Sequence, residues 1–474
     1  MADLKHRLNH PVFSSIAALA AQTNTKVYVI GGYVRDLLLN TPCKDMDFVV
    51  QGSGIEFAQA LGKQLKCKNS VAVFKNFGTA MLRYKGLELE FVGARKESYN
   101  RNSRKPIVED GTLEDDQKRR DFTINALAIS LNAEDYGELT DPFDGLKDLQ
   151  EKIIRTPLDP DITFSDDPLR MLRAIRFACR LGFTIETETF NALSRNRNRL
   201  EIISKERIVE ELNKIMQTIK PSAGFILLDK SGLLEKILPQ LSKLKGVEIK
   251  EGKGHKDNFL HTLQVLDNVA GVSDNIWLRY AALFHDIAKP NVKKFGGNTW
   301  TFHNHEFIGA KMIPQIFRTL KLPLDDRMKY VQKLVGMHHR AIPISNDEIT
   351  DSAVRRLMYD AGEDLDDLLM LCEADITSKI EEKKQKFLNN YKTVRKKIKE
   401  LEEKDFVRTW QPPVDGNLIM ETFGLNPSRA VGIIKDFIKD AILDGQIENS
   451  FEAAYNLMLE KGKELNLVPV QKKQ

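Results

Sequence analysis

The sequence predicts an α/β domain at the front of the chain and an all-α remainder. Three observations carry this. VYVI at 27–30 has the look of a short buried strand, broken by Gly31-Gly32 before a helical VRDLLL. TAMLRY and LELEFV alternate apolar with polar residues, the period of half-buried strands. After about residue 145 the strand signals fade, and apolar spacings of three and four take over.

Taken in order, DFVV at 47–50 is a second strand and IEFAQALGKQL at 55–65 a helix. Helical spacing then runs through LRMLRAIRFACRLGF, IVEELNKIM and AGFILLDKSGLLEKIL. Composition shifts at KLKGVEIKEGKGHKD (243–257) and in the charged run Lys379 to Lys404 read as joints between domains. Within that run Phe387, Tyr391, Val394, Ile398 and Leu401 form the seam of an amphipathic helix, with ten basic and five acidic residues around it. A solvated structural helix accounts for this pattern better than an RNA-binding one. The final segment, DGNLIMETFGLNPSRAVGIIKDFIKDAI, reads as two helices whose Gly-x-x-Pro turn could offer backbone N–H groups to a phosphate; a plain helical hairpin is the better account of any single residue there.

Size and composition limit the function. At ~100 to 200 residues per domain, 474 residues should hold three or four domains. With 42% hydrophobic and 29% charged residues, the chain is neither disordered nor fibrous. It has no apolar run of membrane-spanning length, and MADLKHRLNH lacks a signal peptide's apolar stretch, so no membrane partner and a cytoplasmic location are expected. Cys43, Cys67, Cys179 and Cys372 lie far apart, which argues for buried free thiols over a zinc knuckle or disulfides. Lys plus Arg barely exceed Asp plus Glu, 71 to 67, yet residues 168–207 hold nine basic against four acidic groups. That local basic face would suit a phosphate-rich partner.

Two constellations carry chemistry. In the first, Asp45 and Asp47 stand two apart at a strand entry, so both project from one face. Like charges that close call for a cation, and Mg²⁺ prefers carboxylate oxygens while keeping positions open for phosphates. Gly31 and Gly32, fourteen residues earlier, would let a triphosphate approach the backbone, Arg35 could clamp a phosphate, and Asp36 would orient the loop or Arg35. Glu90 in LELEFV is a candidate third carboxylate. Each feature alone also fits an ordinary turn or surface pair. The Walker pattern is absent, and Gly52-Ser53-Gly54 lacks a third glycine, so it reads as a turn.

GGYVRDLLLNTPCKDMDFVV, RRDFTINALAI (119–129), DPFDGLKDLQEKIIRTP and SDDPLRMLRAIRFACRLGF together resemble the class II nucleotidyltransferases, which include bacterial CCA-adding tRNA nucleotidyltransferases and poly(A) polymerases. The resemblance covers roughly residues 25–240. It implies an α/β nucleotidyltransferase head with a mixed sheet and flanking helices, then an all-α neck and body. Asp45 and Asp47 would hold Mg²⁺, and Arg120, Asp121 and Asn125 would contact the nucleotide. Asp167 and Arg170, three apart on a helix with Arg173 and Arg176 continuing the row, would read the pairing edges of CTP and ATP as a protein template. An ordinary helix-face salt bridge is the competing account of that pair. The family commonly has Glu-Asp where this chain has Asp166-Asp167, which puts the support of Arg170 in question. The polar segment Arg95 to Lys118 is expected to be a mobile loop beside the site.

In the second constellation, seven of the nine histidines fall between 255 and 339, where even spacing would place fewer than two. FHDIAKP and DITSK resemble the HD superfamily of metal-dependent phosphohydrolases. By that resemblance His261, His285, Asp286 and Asp375 would hold one metal, for which a transition metal would suit, while His305 with His338 would suit a second or a phosphate. His255, His303 and His339 read equally well as structural. An active site would hydrolyse a phosphomonoester or a cyclic 2′,3′-phosphate; a vestigial metal site would look the same. The expected domains are 1–140 head, 141–250 neck and body, 251–380 HD domain and 381–474 helical tail. The expected function is CCA addition to tRNA from CTP and ATP. Competing readings are a poly(A) polymerase and an RNA-binding protein or HD phosphohydrolase with a lapsed head. Oligomeric state is left open.

Overall fold

The computed structural model describes residues 4–75, 78–98, 107–340, 350–378, 380–405 and 412–470. Two compact units divide at Ser242/Lys243, inside the first of the expected joints.

In the first unit, helices separate the first three strands, and the next two follow without one. Helix α1 (Pro11–Thr23) leads into β1 (Val27–Ile30), followed by α2 (Gly32–Leu38), β2 (Asp45–Val50), α3 (Gly54–Gln64), β3 (Val71–Phe74), β4 (Thr79–Tyr84) and β5 (Leu87–Gly93). A hairpin of β6 (Arg95–Ser98) and β7 (Ile107–Asp110) precedes α4 (Leu113–Lys118), β8 (Ala128–Ser130) and β9 (Leu139–Thr140). The main sheet runs β3-β4-β5-β2-β1-β8-β9 and is mixed: β2 and β5 are parallel, their other neighbours antiparallel.

Period-two alternation sorts the sheet into two faces. Val27, Val29, Met46, Phe48, Leu89 and Phe91 pack with α1 and α3, and Phe48 stacks on Phe91 at 4.8 Å between centroids. Tyr28, Ile30, Val49 and Val92 line the opposite face with Leu113 of α4. By the same parity Asp45, Asp47 and Glu90 all belong to this second face. Gly54 seats α3 against β5, since a Cβ there would meet the Val92 carbonyl carbon at 2.8 Å. Ser53 caps that helix by accepting from the Glu56 N–H at 3.2 Å, so the GSG segment is a structural turn.

The remainder of the unit is helical: α5 (Gly145–Glu151), α6 (Pro160–Asp166), α7 (Leu169–Leu181), α8 (Thr187–Asn196), α9 (Lys205–Met216) and α10 (Pro221–Lys230). The one sheet contribution after residue 145 in this unit is a two-residue parallel pairing, Ile153–Ile154 with Thr184–Ile185. Two expectations are corrected. The segment from Arg95 to Lys118 is a hairpin and a capped helix where a loop was expected; α4 opens with a reciprocal Thr112–Asp115 capping box, and residues 99–106 lie outside the described residues. Asp167 is not on a helix. It is extended, φ −132° and ψ 99°, between α6 and α7, because Pro168 disfavours helical backbone in the residue before it.

In the second unit, helices Asn258–Ala270, Ile276–Phe284, His305–Leu320, Asp326–Met337 and Leu365–Ala374 surround a core that includes Tyr280, Phe284 and Phe317. Two small hairpins, Ile249–Lys250 with Lys253–Gly254 and Lys294–Gly296 with Thr299–Thr301, interrupt the expected all-helical pattern. The charged run is helical, as its seam predicts. It is helix Glu381–Asp405 within this unit, with Tyr391, Val394, Ile398 and Leu401 buried. The tail hairpin gains a third helix, Phe451–Glu464, whose Ala454 and Met458 share a core with Ile419, Phe423, Ile434 and Ile438. Of the four free cysteines only Cys372 is buried, the other three being partly exposed. Among the described residues, no helix is long and apolar enough to cross a membrane.

Candidate functional site

Three carboxylates, Asp45, Asp47 and Glu90, share the second face of the head sheet. Asp47 lies directly across from Glu90 on β5 and from Ile30 on β1, and Asp45 lies across from Glu88. Burial, followed by the neighbouring Asp45 and Asp116, lifts Asp47 above the usual carboxylate range, although Arg120 and Arg173 pull the other way. Glu90 is also raised, by burial and then by Asp47, against Arg95 and Arg120. Carboxylates crowded on one buried face repel one another, and a divalent cation would relieve that repulsion.

Gly31 admits the partners of Asp47. Its φ is +82°, and a Cβ there would lie 2.7 Å from Arg120 Nη1 and 3.2 Å from Asp47 Oδ2. Gly32 meets no such obstacle, its nearest contact being Arg35 Nη2 at 3.6 Å. The Gly31 N–H donates to the Leu127 carbonyl at 3.2 Å, so that group is not turned toward a phosphate as expected. Arg120 is held by Asp116, whose Oδ2 accepts from its Nε at 3.2 Å while Arg119 binds the other oxygen. Asp116 is fully buried and was not singled out from the sequence; the signal available was the acidic LEDDQK immediately ahead of RRD.

Behind the carboxylates lies a layer of guanidinium groups on Phe177. Arg35, Arg173 and Arg176 approach its ring at 5.0, 5.4 and 4.1 Å. Arg35 is buried, donating to Asp36 at 2.8 Å and to Asn125 Oδ1 at 2.7 Å, so Asp36 does orient Arg35. Asn125 donates on to Asp121 at 3.0 Å, and Asp121 accepts from Arg173 Nε at 2.7 Å and from the Phe122 N–H at 2.9 Å. Burial would raise the Asp121 carboxyl, but the Arg173 charge and the bonds from Asn125 and Arg173 outweigh it and bring it to about 2. Arg35 and Asp121 are therefore turned inward, and they position Asn125 and Arg173. Arg176 is also withdrawn, paired with buried Glu211 at 2.6 Å.

The expected template pair is separated in this structure. Asp167 accepts from the Leu169 N–H at 3.2 Å and faces Arg207 at 3.5 Å. Arg170 donates to the Arg119 carbonyl at 2.5 Å and to the Thr163 carbonyl at 3.4 Å. Asp167, Arg170 and Arg173 remain partly exposed. The basic stretch 168–207 is largely engaged within the protein: Arg195 pairs with Asp161 and Glu188, and Arg199 donates to the Ser165 carbonyl.

In the second unit, His261, His285 and Asp286 bring ligand atoms within 4.8 Å of one another, as do His305, His338 and His339, and among the described residues such groups of three occur only there. Asp375 completes the first group, 2.9 Å from His261 Nε2 and 3.6 Å from His285 Nε2. Asp286 faces both groups, with Oδ2 at 3.3 Å from His285 and Oδ1 at 3.3 Å from His305. His339, equally read as structural from sequence, lies with its ring 4.6 Å from His305 and 4.4 Å from His338.

The donor set fits a metal. The Nδ1–H groups of His285, His305 and His338 donate to the carbonyls of Ala282, Phe302 and Val335, each at 2.7 Å. That arrangement fixes the tautomer and turns each Nε2 lone pair inward. His285 Nε2 and Asp286 Oδ1 are buried with no hydrogen-bond partner. Despite burial, and when no metal is bound, Asp286 is held well below the usual carboxylate range by His285 in its protonated form and by Lys289, and Asp375 likewise by His261 and His285.

Comparisons with known proteins agree with this division. Family models match residues 27–155 (poly A polymerase head domain), 182–245 (probable RNA and SrmB-binding site of polymerase A) and 258–380 (HD domain). The chain is 33% identical over 365 residues to the multifunctional CCA protein of Shewanella frigidimarina (strain NCIMB 400), covering 74% of this chain and 83% of that one. It is 42% identical over 215 residues to the A-adding tRNA nucleotidyltransferase of Aquifex aeolicus (strain VF5), a match spanning 45% of this chain and 26% of that protein. A solved tRNA nucleotidyltransferase complexed with a primer tRNA and an incoming ATP analog aligns with a TM-score of 0.56 at 27% identity, over 80% of this chain and 98% of that one.

Proposed function

The chain belongs to the family of tRNA nucleotidyltransferases and poly(A) polymerases, and on that premise we propose that it builds the CCA end of tRNA from CTP and ATP. One observation carries the reading: Asp47, paired across the sheet with Glu90, lies with Arg120 beside a strand-to-helix turn that only glycine can form. The transfer is metal-dependent. Mg²⁺ at Asp45 and Asp47 would supply Lewis acidity at the α-phosphate and a more acidic RNA 3′-hydroxyl. Glu90 lies beside them as a third acceptor.

The chain's own side chains do the rest. Arg120, fixed by Asp116, keeps a positive charge against Asp47 and the triphosphate. The relay Asp36–Arg35–Asn125–Asp121 sets Arg173. Arg170 and Asp167 read the base once a nucleotide draws them together: a carboxylate accepts from the exocyclic amino group of C or A, and a guanidinium donates to ring acceptors. At ~1 to 3 kcal/mol per good bidentate contact, two such contacts suffice to reject U and G. The histidine centre would hold one metal at His261, His285, Asp286 and Asp375 and a second at His305, His338 and His339, and would act on a phosphomonoester or a cyclic 2′,3′-phosphate.

Incubation with a tRNA lacking its last three nucleotides tests the transfer. The expected product with CTP and ATP is two C and then one A. Long A tracts would establish the poly(A) reading. The Aquifex relative favours a second reading, addition of the final A alone, which would appear as no CTP incorporation on that substrate.

A further inference from the structure

Beside the histidine centre is a cavity of about 370 Å³ lined by Lys289, Phe302, His303, His305, Glu306 and His339. Phe302 leads out of it. Its ring lies 5.7 Å from His255, and His255 lies 5.4 Å from Trp300, each edge to face. Trp300 joins the two small hairpins of the second unit, because its Nε1–H donates to the Lys253 carbonyl at 3.0 Å. Lysine ammonium groups line the same track: Lys289, paired with Asp286, lies 5.6 Å over Phe302; Lys293, paired with Glu248, is 5.3 Å over Trp300; and Lys250 is 5.8 Å over Trp300. Across 248–257 and 289–303 six lysines oppose three acidic residues, a formal +3.

Interleaved aromatic rings and lysines are how proteins hold single-stranded nucleic acid without reading its sequence: bases stack on the rings and phosphates meet the ammonium groups. A free phosphate or a mononucleotide would need only the cavity. Rings and charge that continue past its mouth suit a longer chain with the same terminal chemistry.

We propose that the two hairpins form a platform for the 3′-terminal nucleotides of an RNA strand, whose terminal phosphate enters the cavity beside His305 and His339. The proposal rests on the hydrolase reading of the histidine centre and narrows its substrate to the phosphorylated end of an RNA. Hydrolysis there adds water across the terminal phosphoester: its oxygen goes to phosphorus, the bond from phosphorus to the ribose oxygen breaks, and that oxygen takes the proton.

Binding of a 3′-phosphorylated hexacytidylate, followed in EDTA by tryptophan emission, separates the platform from the chemistry. The Trp300 contribution is the difference between the wild type and Trp300→Phe. The oligonucleotide should quench it, and fluorescence anisotropy of the same oligonucleotide carrying a fluorophore should show Trp300→Ala or the exposed Lys250→Ala weakening binding about tenfold. Lys250→Ala should also lower the salt slope of log K by about 0.7. With metal restored, phenyl phosphate hydrolysis should be the same in all forms. No quenching, or equal affinity in all forms, overturns the platform. Quenching by polyglutamate but not by the oligonucleotide also overturns it, in favour of an acidic protein. If the oligonucleotide quenches but no form hydrolyses phenyl phosphate, the platform stands and the hydrolase reading falls.

Discussion

Asp121→Asn removes a charge from the centre of the head relay while preserving shape. The carboxylate is 7% exposed, and its two oxygens accept from Arg173, Asn125 and the Phe122 N–H. Breaking a buried ion pair ordinarily costs ~3 to 5 kcal/mol. Here the Arg173 side chain is 34% exposed, so water can reach the orphaned guanidinium and the lower end applies. The carboxyl itself gives a second figure, because a fall from 3.8 to about 2 corresponds to about 2 kcal/mol. With a urea dependence of ~2 kcal/mol per M, the midpoint of the first unit should drop by about 1 M at pH 7.

The three tryptophans, at 277, 300 and 410, all belong to the second unit, so the first is best followed by hydrogen exchange of peptides covering 113–181. The sign with pH is fixed. A carboxyl held below its ordinary value contributes stability that is complete above 3.8 and lost as pH falls toward 2, so the gap between wild type and variant should close over that window. Equal midpoints at pH 7, or a gap that persists at pH 2, would refute the relay.

Gly31→Ala should leave the protein folded but cut nucleotide incorporation about tenfold, because the new methyl collides with Arg120 and crowds Asp47; a melting curve and an incorporation assay check this. Phe177→Leu removes the ring beneath three guanidinium groups and should destabilise the first unit by about 1 to 3 kcal/mol, read by the same exchange experiment. Asp286→Asn should abolish bound metal by elemental analysis and lower the melting temperature of the second unit, whereas chelation should lower that of the wild type alone.

Much of this architecture was legible because short-period signals wrote it. Alternation in LELEFV fixed both the strand and the face on which Glu90 meets Asp47, and the histidine cluster announced itself by density. What stayed hidden were partnerships across long separations. Asp121 and Arg173 are 52 residues apart, Arg176 and Glu211 are 35 apart, and no local pattern names either pair. Helical spacing places Asp167 on a helix, whereas the proline that follows it holds it extended. The hairpins at 249–254 and 294–301 have strands of two and three residues, too short for alternation to register. Asp116 looked like one more acid on a charged helix; burial, invisible in sequence, is what turns it toward Arg120.

Incorporation of labelled CMP into truncated tRNA by Asp47→Ala, with its folding checked by hydrogen exchange, tests the carboxylate site most directly. A fall of at least about a thousandfold is expected, since the remaining carboxylates could not hold the ion against the triphosphate. Incorporation at the wild-type rate in a folded variant would contradict the account.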